Sequence, residues 1–396
     1  MSVIIALEVY GDFLRKMNVD LDLFSRAILG VQYKGIIQKT VAVKNVLIQL
    51  LNSSIIDVDR LDYVMRDTRM SGFDNIAIDV ERLLDSVTIV KETNDYALAY
   101  KKNALSTIEN VVLAHDAERR WIQNHPVILY DSYLVKTILK LIQDNFKIDN
   151  SDQGIFQKDA FKVDGIKTFD GNCIRLLNDG DCIFLMKQFE DQTQREYVEE
   201  YLSRDKRKHP IWKSESEFNL LLQELTTNQK EEFIRIFASK NEEKYNTSIG
   251  SILNAKRIKE IEQQIQQIRQ DDTLLEEDQE NLILCKRKQM LWLQELEKFC
   301  AGIGIRFEVH NMTHEPFKSG IDKLSNGVKI WFGNFEKTQM LHRALNVYQT
   351  SESADQKIQK KNEPVIYWYM YKSDKFRMDK FIDFIKKTST KCEAMK

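Results

Sequence analysis

Four prolines and 14 glycines are all the strong breakers in a chain of 396 residues. Proline removes an amide donor and clashes with the preceding helical turn, and glycine loses the most backbone freedom on ordering. A chain that avoids both while spending itself on Leu, Ile, Lys, Glu and Gln is built to run as helix. The expectation is a mainly α protein, long enough for two domains or one large one. Apolar residues at 43% and charged ones at 30% can support a sizeable core.

Charge and cysteine usage narrow the classes further. Lys and Arg number 58 against 60 Asp and Glu, a net charge of −2, so there is no chain-wide cationic field of the kind that holds nucleic acid non-specifically. Cysteines at 173, 182, 285, 300 and 392 are scattered, with no CxxC pair, which fits a reducing compartment. The apolar N-terminal run is broken by Glu8 and lacks a basic flank, so it does not read as a leader; no window suits a membrane span. A cytoplasmic protein with no membrane partner is expected.

Along the chain, Val3, Leu7, Tyr10, Leu14 and Met17 mark one face of a helix apolar enough to belong inside a core. Helical patterns recur at 40–51, 57–68, 79–86, 102–123 and 127–147, with His125-Pro126 as a break and 87–101 as a small hairpin. Asp-Gly pairs at 164–165, 170–171 and 179–180 predict tight turns between short elements. Residues 253–298 predict two long helices joined near Asp271 and Asp272, an interaction or oligomerisation hairpin. IGIRFEVH, GVKIWFG and PVIYWYMY predict strands, and a helix over 377–388 closes the chain. The organisation expected is 1–150, 151–250, the hairpin 251–300, and an α+β region 301–396 with a small β-sheet.

Chemistry concentrates between Ser53 and Leu84. Asp59, Tyr63 and Asp67 recur every four residues and share a slowly drifting helical face, flanked by Arg60 and Arg66. Carboxylates ligate divalent metals and guanidinium grips phosphate in a bidentate way. Taken alone, such a helix reads more simply as a solvated face of ion pairs of modest worth.

The run DVDRLDYVMRD, with a following glycine and IDVERLL, resembles the third motif of HD-domain deoxynucleoside triphosphate triphosphohydrolases. That resemblance implies the C-terminal part of an HD helical bundle. Asp59 would be a metal ligand, Arg60 would meet phosphate, and Tyr63 and Asp67 would lie near the sugar. ALSTIENVVLAHDAERRWIQNHPVILY at 104–130 is similar to the family's next helix, which suggests His115, Arg119, Arg120 and His125 as pocket residues, although relatives carry an Arg near the place of His115. RLLNDGDCIFLMK at 175–187 resembles an acidic turn before a helix; the resemblance covers roughly 1–220 and nothing beyond.

The same resemblance implies a His and a His-Asp pair upstream of Asp59, completing a site for magnesium, manganese, iron or zinc. All six histidines follow Asp59, and the one His-Asp pair, His115-Asp116, lies after the motif. The chain is therefore expected to begin partway through the HD domain, with a missing upstream part, a second chain, or a metal-free pseudoenzyme as the alternatives. The implied activity is hydrolysis of a dNTP to deoxynucleoside and triphosphate. The alternative is a homo-oligomeric nucleotide-sensing scaffold answering to a nucleotide effector, as a subunit of a nucleotide-depleting antiviral system.

Other constellations have plainer readings. His310 and His314 have a zinc-like spacing but read as a polar loop. Tyr367, Trp368, Tyr369 and Tyr371 suggest a base-stacking platform or, more simply, a strand with one face in a core and the other at a subunit interface. RDKRKHPIWK at 204–213 reads as a solvated turn, with phosphate contact as the alternative.

Overall fold

The computed structural model describes residues 2–34, 39–52, 56–72, 78–91, 96–149, 151–168, 171–203, 206–237, 255–271, 275–304, 307–309, 327–333, 337–340 and 366–395. The expected histidine pair, His310 and His314, lies outside the described residues, as do His342 and Asp272.

The protein is mainly α with small sheets, as its composition implies. Its first elements are α1 (Ser2–Lys16), α2 (Leu21–Leu29), α3 (Lys39–Leu51), α4 (Val58–Met70) and α5 (Val80–Asp85). A hairpin of β1 (Val87–Lys91) and β2 (Tyr96–Lys101) leads into α6 (Leu105–Glu118), a π-helical turn over Arg119–Gln123, and α7 (Pro126–Asn145). Short strands β3 (Ile166–Lys167) and β4 (Cys173–Ile174) precede α8 (Asp179–Met186) and α9 (Gln192–Leu202). Then come β5 (His209–Pro210), α10 (Glu215–Gln223), α11 (Thr227–Phe237), α12 (Ala255–Arg269) and α13 (Glu276–Ile303). The chain finishes with β6 (Phe307–Val309), β7 (Lys329–Phe332), β8 (Lys337–Met340), β9 (Trp368–Met370) and α14 (Met378–Glu393).

Two compact units emerge, each assembled from three stretches of chain. The first comprises Met1–Gln123, Val135–Val198 and Phe317–Lys361. Its sheet has the order β1-β2-β7-β8: β1 and β2 are antiparallel, with Val87 opposite Tyr100, and β2 runs parallel to β7, with Tyr100 opposite Ile330. Beneath it, Ile56, Leu61, Leu83, Tyr100, Ile108, Val111, Val112, Val328 and Ile330 form one buried cluster. Burying each such side chain is worth about 1.5–3 kcal/mol, so this cluster anchors α4 and α6 to the sheet.

Helix α1 departs from expectation. Only Gly11 is buried, while Tyr10, Phe13 and Met17 are 58%, 59% and 63% exposed. Periodicity identified an apolar face correctly, but a covering layer is a tertiary property, and this chain's described residues do not supply one. The Asp-Gly pairs also divide. Gly165, just before β3, and Gly171, in the β3–β4 turn, take left-handed φ values of 69° and 80°, whereas Asp179-Gly180 starts α8 under an Asn178–Asp181 capping box.

The second unit comprises Asn124–Leu134, Glu199–Pro316 and Asn362–Lys396. Its antiparallel sheet β5-β9-β6 packs aromatic residues into a core: the Trp368 ring lies 5.0 Å from Phe237 and 5.3 Å from Phe381, and Trp292 meets Phe237 edge-on at 5.2 Å. Trp368 and Tyr369 are both 0% exposed. Both faces of β9 are thus covered within the chain, which leaves Trp368 and Tyr369 neither a subunit-facing side nor a stacking platform.

The basic run beyond Asp205 is not a solvated turn. Lys208 is 6% exposed and Trp212 1%. The Lys208 ammonium donates to Glu200 at 2.5 Å and sits 4.7 Å from the Tyr371 ring centre, while the Tyr130 and Tyr371 hydroxyls also donate to Glu200. Arg207 pairs with Asp131 at 2.9 Å. These cations neutralise the buried Glu200 and the half-buried Asp131.

Candidate functional site

Helix α4 begins where Asp57, in extended conformation (φ −132°, ψ 165°), turns its carboxylate back to accept from the Arg60 amide at 2.6 Å. That N-cap satisfies an otherwise orphaned donor and fixes the helix phase. At about 100° per residue, Leu61, Val64 and Thr68 then fall on one stripe, and all three are buried. Arg60, Tyr63 and Asp67 fall on the adjoining flank and are half-buried. Asp59 and Arg66 lie roughly opposite the stripe and are exposed; Arg66 pairs with Asp62 at 2.7 Å and approaches Asp67 at 3.6 Å.

Helix α6 packs against α4, and its interior face changes chemistry along its length. Ile108 and Val111 are apolar, but the next positions on that face are His115, 8% exposed, and Glu118, 1% exposed. The π-helical turn widens the backbone immediately afterwards, a feature often associated with functional sites. From it, the Gln123 amide donates to Glu118 Oε1 at 2.6 Å, and Trp121 stands 55% exposed. Glu118 Oε2 is buried and accepts no hydrogen bond among the described residues.

Electrostatics join the two helices into one cluster. Burial, then the positive charges of Arg60 and Arg119, push the His115 imidazole down to about 4, with Asp57 pulling the other way. The ring is therefore neutral near pH 7. Burial raises the Glu118 carboxyl, opposed by the Gln123 hydrogen bond; Asp67 adds to the rise, and Arg119 and Arg60 work against it. Burial also raises the Tyr63 phenol, countered by the Arg60 guanidinium, which donates to its oxygen. Tyr100, buried beneath, is pushed upward by burial and by the charge of Asp57.

The structure therefore brings together Arg60, Tyr63, Asp67, His115 and Arg119 from the residues singled out by sequence. Asp59 sits on the exposed side of the first α4 turn. His125 opens α7 in the second unit, where its Nδ1 accepts from the Val127 amide at 3.3 Å. The Arg120 side chain lies outside the described residues. Asp57 and Glu118 join the cluster without having been singled out. An Asp immediately before a helix is a capping signal, and Glu118 lies three residues after His115 on the same face, so both were readable in principle.

A guanidinium pair beside buried acceptors and a neutral imidazole is suited to holding an anion that also carries hydroxyl or amine donors. Metal chelation is a different matter. Among the described residues no three His, Cys, Asp or Glu side chains cluster to hold a metal ion. Among them, too, no helix is long and apolar enough to cross a membrane.

No family model matches the chain. Over 138 residues it is 28% identical to an uncharacterized protein of Methanocaldococcus jannaschii, covering 35% of this chain and 28% of that protein. Over 133 residues it is 26% identical to an uncharacterized protein of Mycoplasma pneumoniae, covering 34% and 29%. The matched stretches thus span less than a third of either relative's length. Among solved structures, a hypothetical protein from Aquifex aeolicus aligns with a TM-score of 0.47 and 13% identity, covering 97% of this chain and 69% of that one. A phosphohydrolase from Bacteroides thetaiotaomicron aligns with a TM-score of 0.45 and 15% identity, covering 93% and 71%.

Proposed function

We propose that this chain carries the nucleotide-binding part of an HD-type phosphohydrolase acting on deoxynucleoside triphosphates. The observation that carries the reading is the meeting of Arg60, Tyr63 and Asp67 on α4 with His115 and Glu118 at the end of α6 and Arg119 in the π-helical turn after it. The motif that resembles the family's and the polar end of the α6 core face, where Glu118 joins the expected His115, meet there. Arg60 and Arg119 would neutralise phosphate oxygens, where charge-assisted bonds from guanidinium are strongest. Tyr63 and Asp67 would contact the sugar. His115, being neutral, would hydrogen-bond without adding a third positive charge. The products would be a deoxynucleoside and triphosphate.

Asp59 is one carboxylate where the resemblance implies four ligands, so the described residues do not fit a complete metal site. Its further ligands would come from outside these residues, a second chain included. That same observation favours a second reading, in which the pocket binds nucleotide as a sensor and does not hydrolyse it.

Calorimetry with each dNTP, alongside triphosphate release with Mn²⁺, Mg²⁺ or Fe²⁺, separates the two. Binding that falls on Arg60→Ala or Arg119→Ala, together with turnover, is the expected result. Binding without turnover leaves the sensor. Absence of dNTP binding sinks both.

A further inference from the structure

Within the second unit, α13 and α14 enclose an open groove of about 680 Å³. Its surroundings are strongly cationic for a chain whose net charge is −2: Lys298, Lys380, Lys386, Lys387 and Lys391 border it, against Glu295 and Asp383. Its floor is Phe299 and Phe384, whose rings stack at 4.7 Å and 22°.

The lysines are unequally used. Glu295 accepts from Lys391 at 2.5 Å and Lys298 at 2.8 Å, which hold its carboxyl below the usual range. Lys386 donates to Glu224 at 2.7 Å. Lys380 and Lys387 make no ion pair among the described residues, and both are exposed. Seven residues apart, they fall on one stripe of α14 with Phe384 and Lys391, a row about 16 Å long at 1.5 Å per residue.

We propose that this groove is a docking surface for an acidic, partly apolar peptide segment of another protein. Three features select a carboxylate-bearing partner over nucleic acid. Each occupied lysine of the groove already holds a carboxylate. The groove contains no arginine, the side chain that grips phosphate in a bidentate way. The two phenyl rings stack on each other and Phe384 is buried, which leaves bases little open ring face to stack on. An extended peptide sets same-side carboxylates about 6–7 Å apart, a spacing that flexible lysine chains can follow, while alternate apolar residues cover the phenyl floor.

The test uses fluorescence anisotropy of the full chain with a labelled peptide alternating glutamate and leucine, at low and at physiological salt. A single-stranded oligothymidylate of equal charge serves as competitor and as a second probe. The peptide is expected to bind, with affinity about tenfold weaker in the double variant Lys380→Ala/Lys387→Ala, as the loss of two exposed ion pairs implies. Both lysines are exposed, so the variant keeps its fold, checked by circular dichroism. No binding, affinity unchanged in the variant, or equal or tighter binding of the oligothymidylate through the same lysines would each overturn the proposal.

Discussion

The α4–α6 cluster makes a quantitative demand on how stability changes with pH. His115 is ordinarily half-protonated near pH 6.5, but in the folded protein this falls to about 4. A histidine depressed in this way takes up a proton more readily when the chain unfolds. Its contribution is fully present above about pH 6.5 and is lost as pH falls from there towards 4. Linkage then gives a loss of about 2 kcal/mol between pH 7.5 and pH 5, a substantial part of a typical domain's stability. Glu118 acts with the opposite sign. Its carboxyl is raised, so its contribution is greatest below its ordinary value and is lost as pH rises. The two groups partly cancel in the wild-type chain, and single variants separate them.

His115→Gln keeps a neutral polar side chain and should flatten the pH 5 to 7.5 stability difference by about 2 kcal/mol. Glu118→Gln should steepen it and raise stability at pH 7.5. Because two compact units need not unfold together, the measurement is native-state hydrogen exchange of the α6 amides, corrected for intrinsic rates at each pH. If His115→Gln and wild type lose equal protection between pH 7.5 and 5, the burial and the Arg60 and Arg119 contacts assigned to this ring are wrong.

Other consequences are simpler to state. Glu200→Ala removes the shared acceptor of Lys208, Tyr130 and Tyr371 and leaves the ammonium buried without its carboxylate, which should cost about 3–5 kcal/mol in urea denaturation; Glu200→Leu/Lys208→Met together should cost markedly less, and equal costs would refute the charge argument. Asp57→Ala should lose about 1 kcal/mol of capping and lower the His115 titration further, readable by NMR of the imidazole. Gly165→Ala places a Cβ 2.1 Å from the Ile174 carbonyl at a φ of 69°, so a melting temperature matching wild type would show that the chain entering β3 beside Ile174 tolerates far more than its geometry implies.

Local signals read well in this chain and tertiary ones did not. The hairpin over 87–101, the break at His125-Pro126, the paired helices α12 and α13 and the closing α14 all follow from periodicity and punctuation, which act within a few residues. The exposed face of α1, the inward turn of Arg207 and Lys208, and the burial of Trp368 on both sides depend on what packs above each element. So does the parallel pairing of β2 with β7, whose partners Tyr100 and Ile330 lie 230 residues apart in sequence. No window sees such a contact, and the same apolar stripe suits a core, a partner or solvent-facing packing.

The candidate site follows the same division, with one instructive twist. DVDRLDYVMRD places carboxylates, a phenol and guanidinium groups on α4, yet which of them reach a partner helix is settled by Leu61, Val64 and Thr68. Once those three point inward, geometry leaves Arg60, Tyr63 and Asp67 on the flank and turns Asp59 and Arg66 to solvent. The flank is an intermediate environment for a charged group: full burial would cost a guanidinium several kcal/mol of desolvation, while full exposure would reduce its ion pairs to a fraction of one. Glu118 and His115 complete the arrangement from the other side, polar groups placed where the α6 pattern calls for apolar ones. Such a local breach of the packing rule lies where α6 meets α4, beside the residues of the motif.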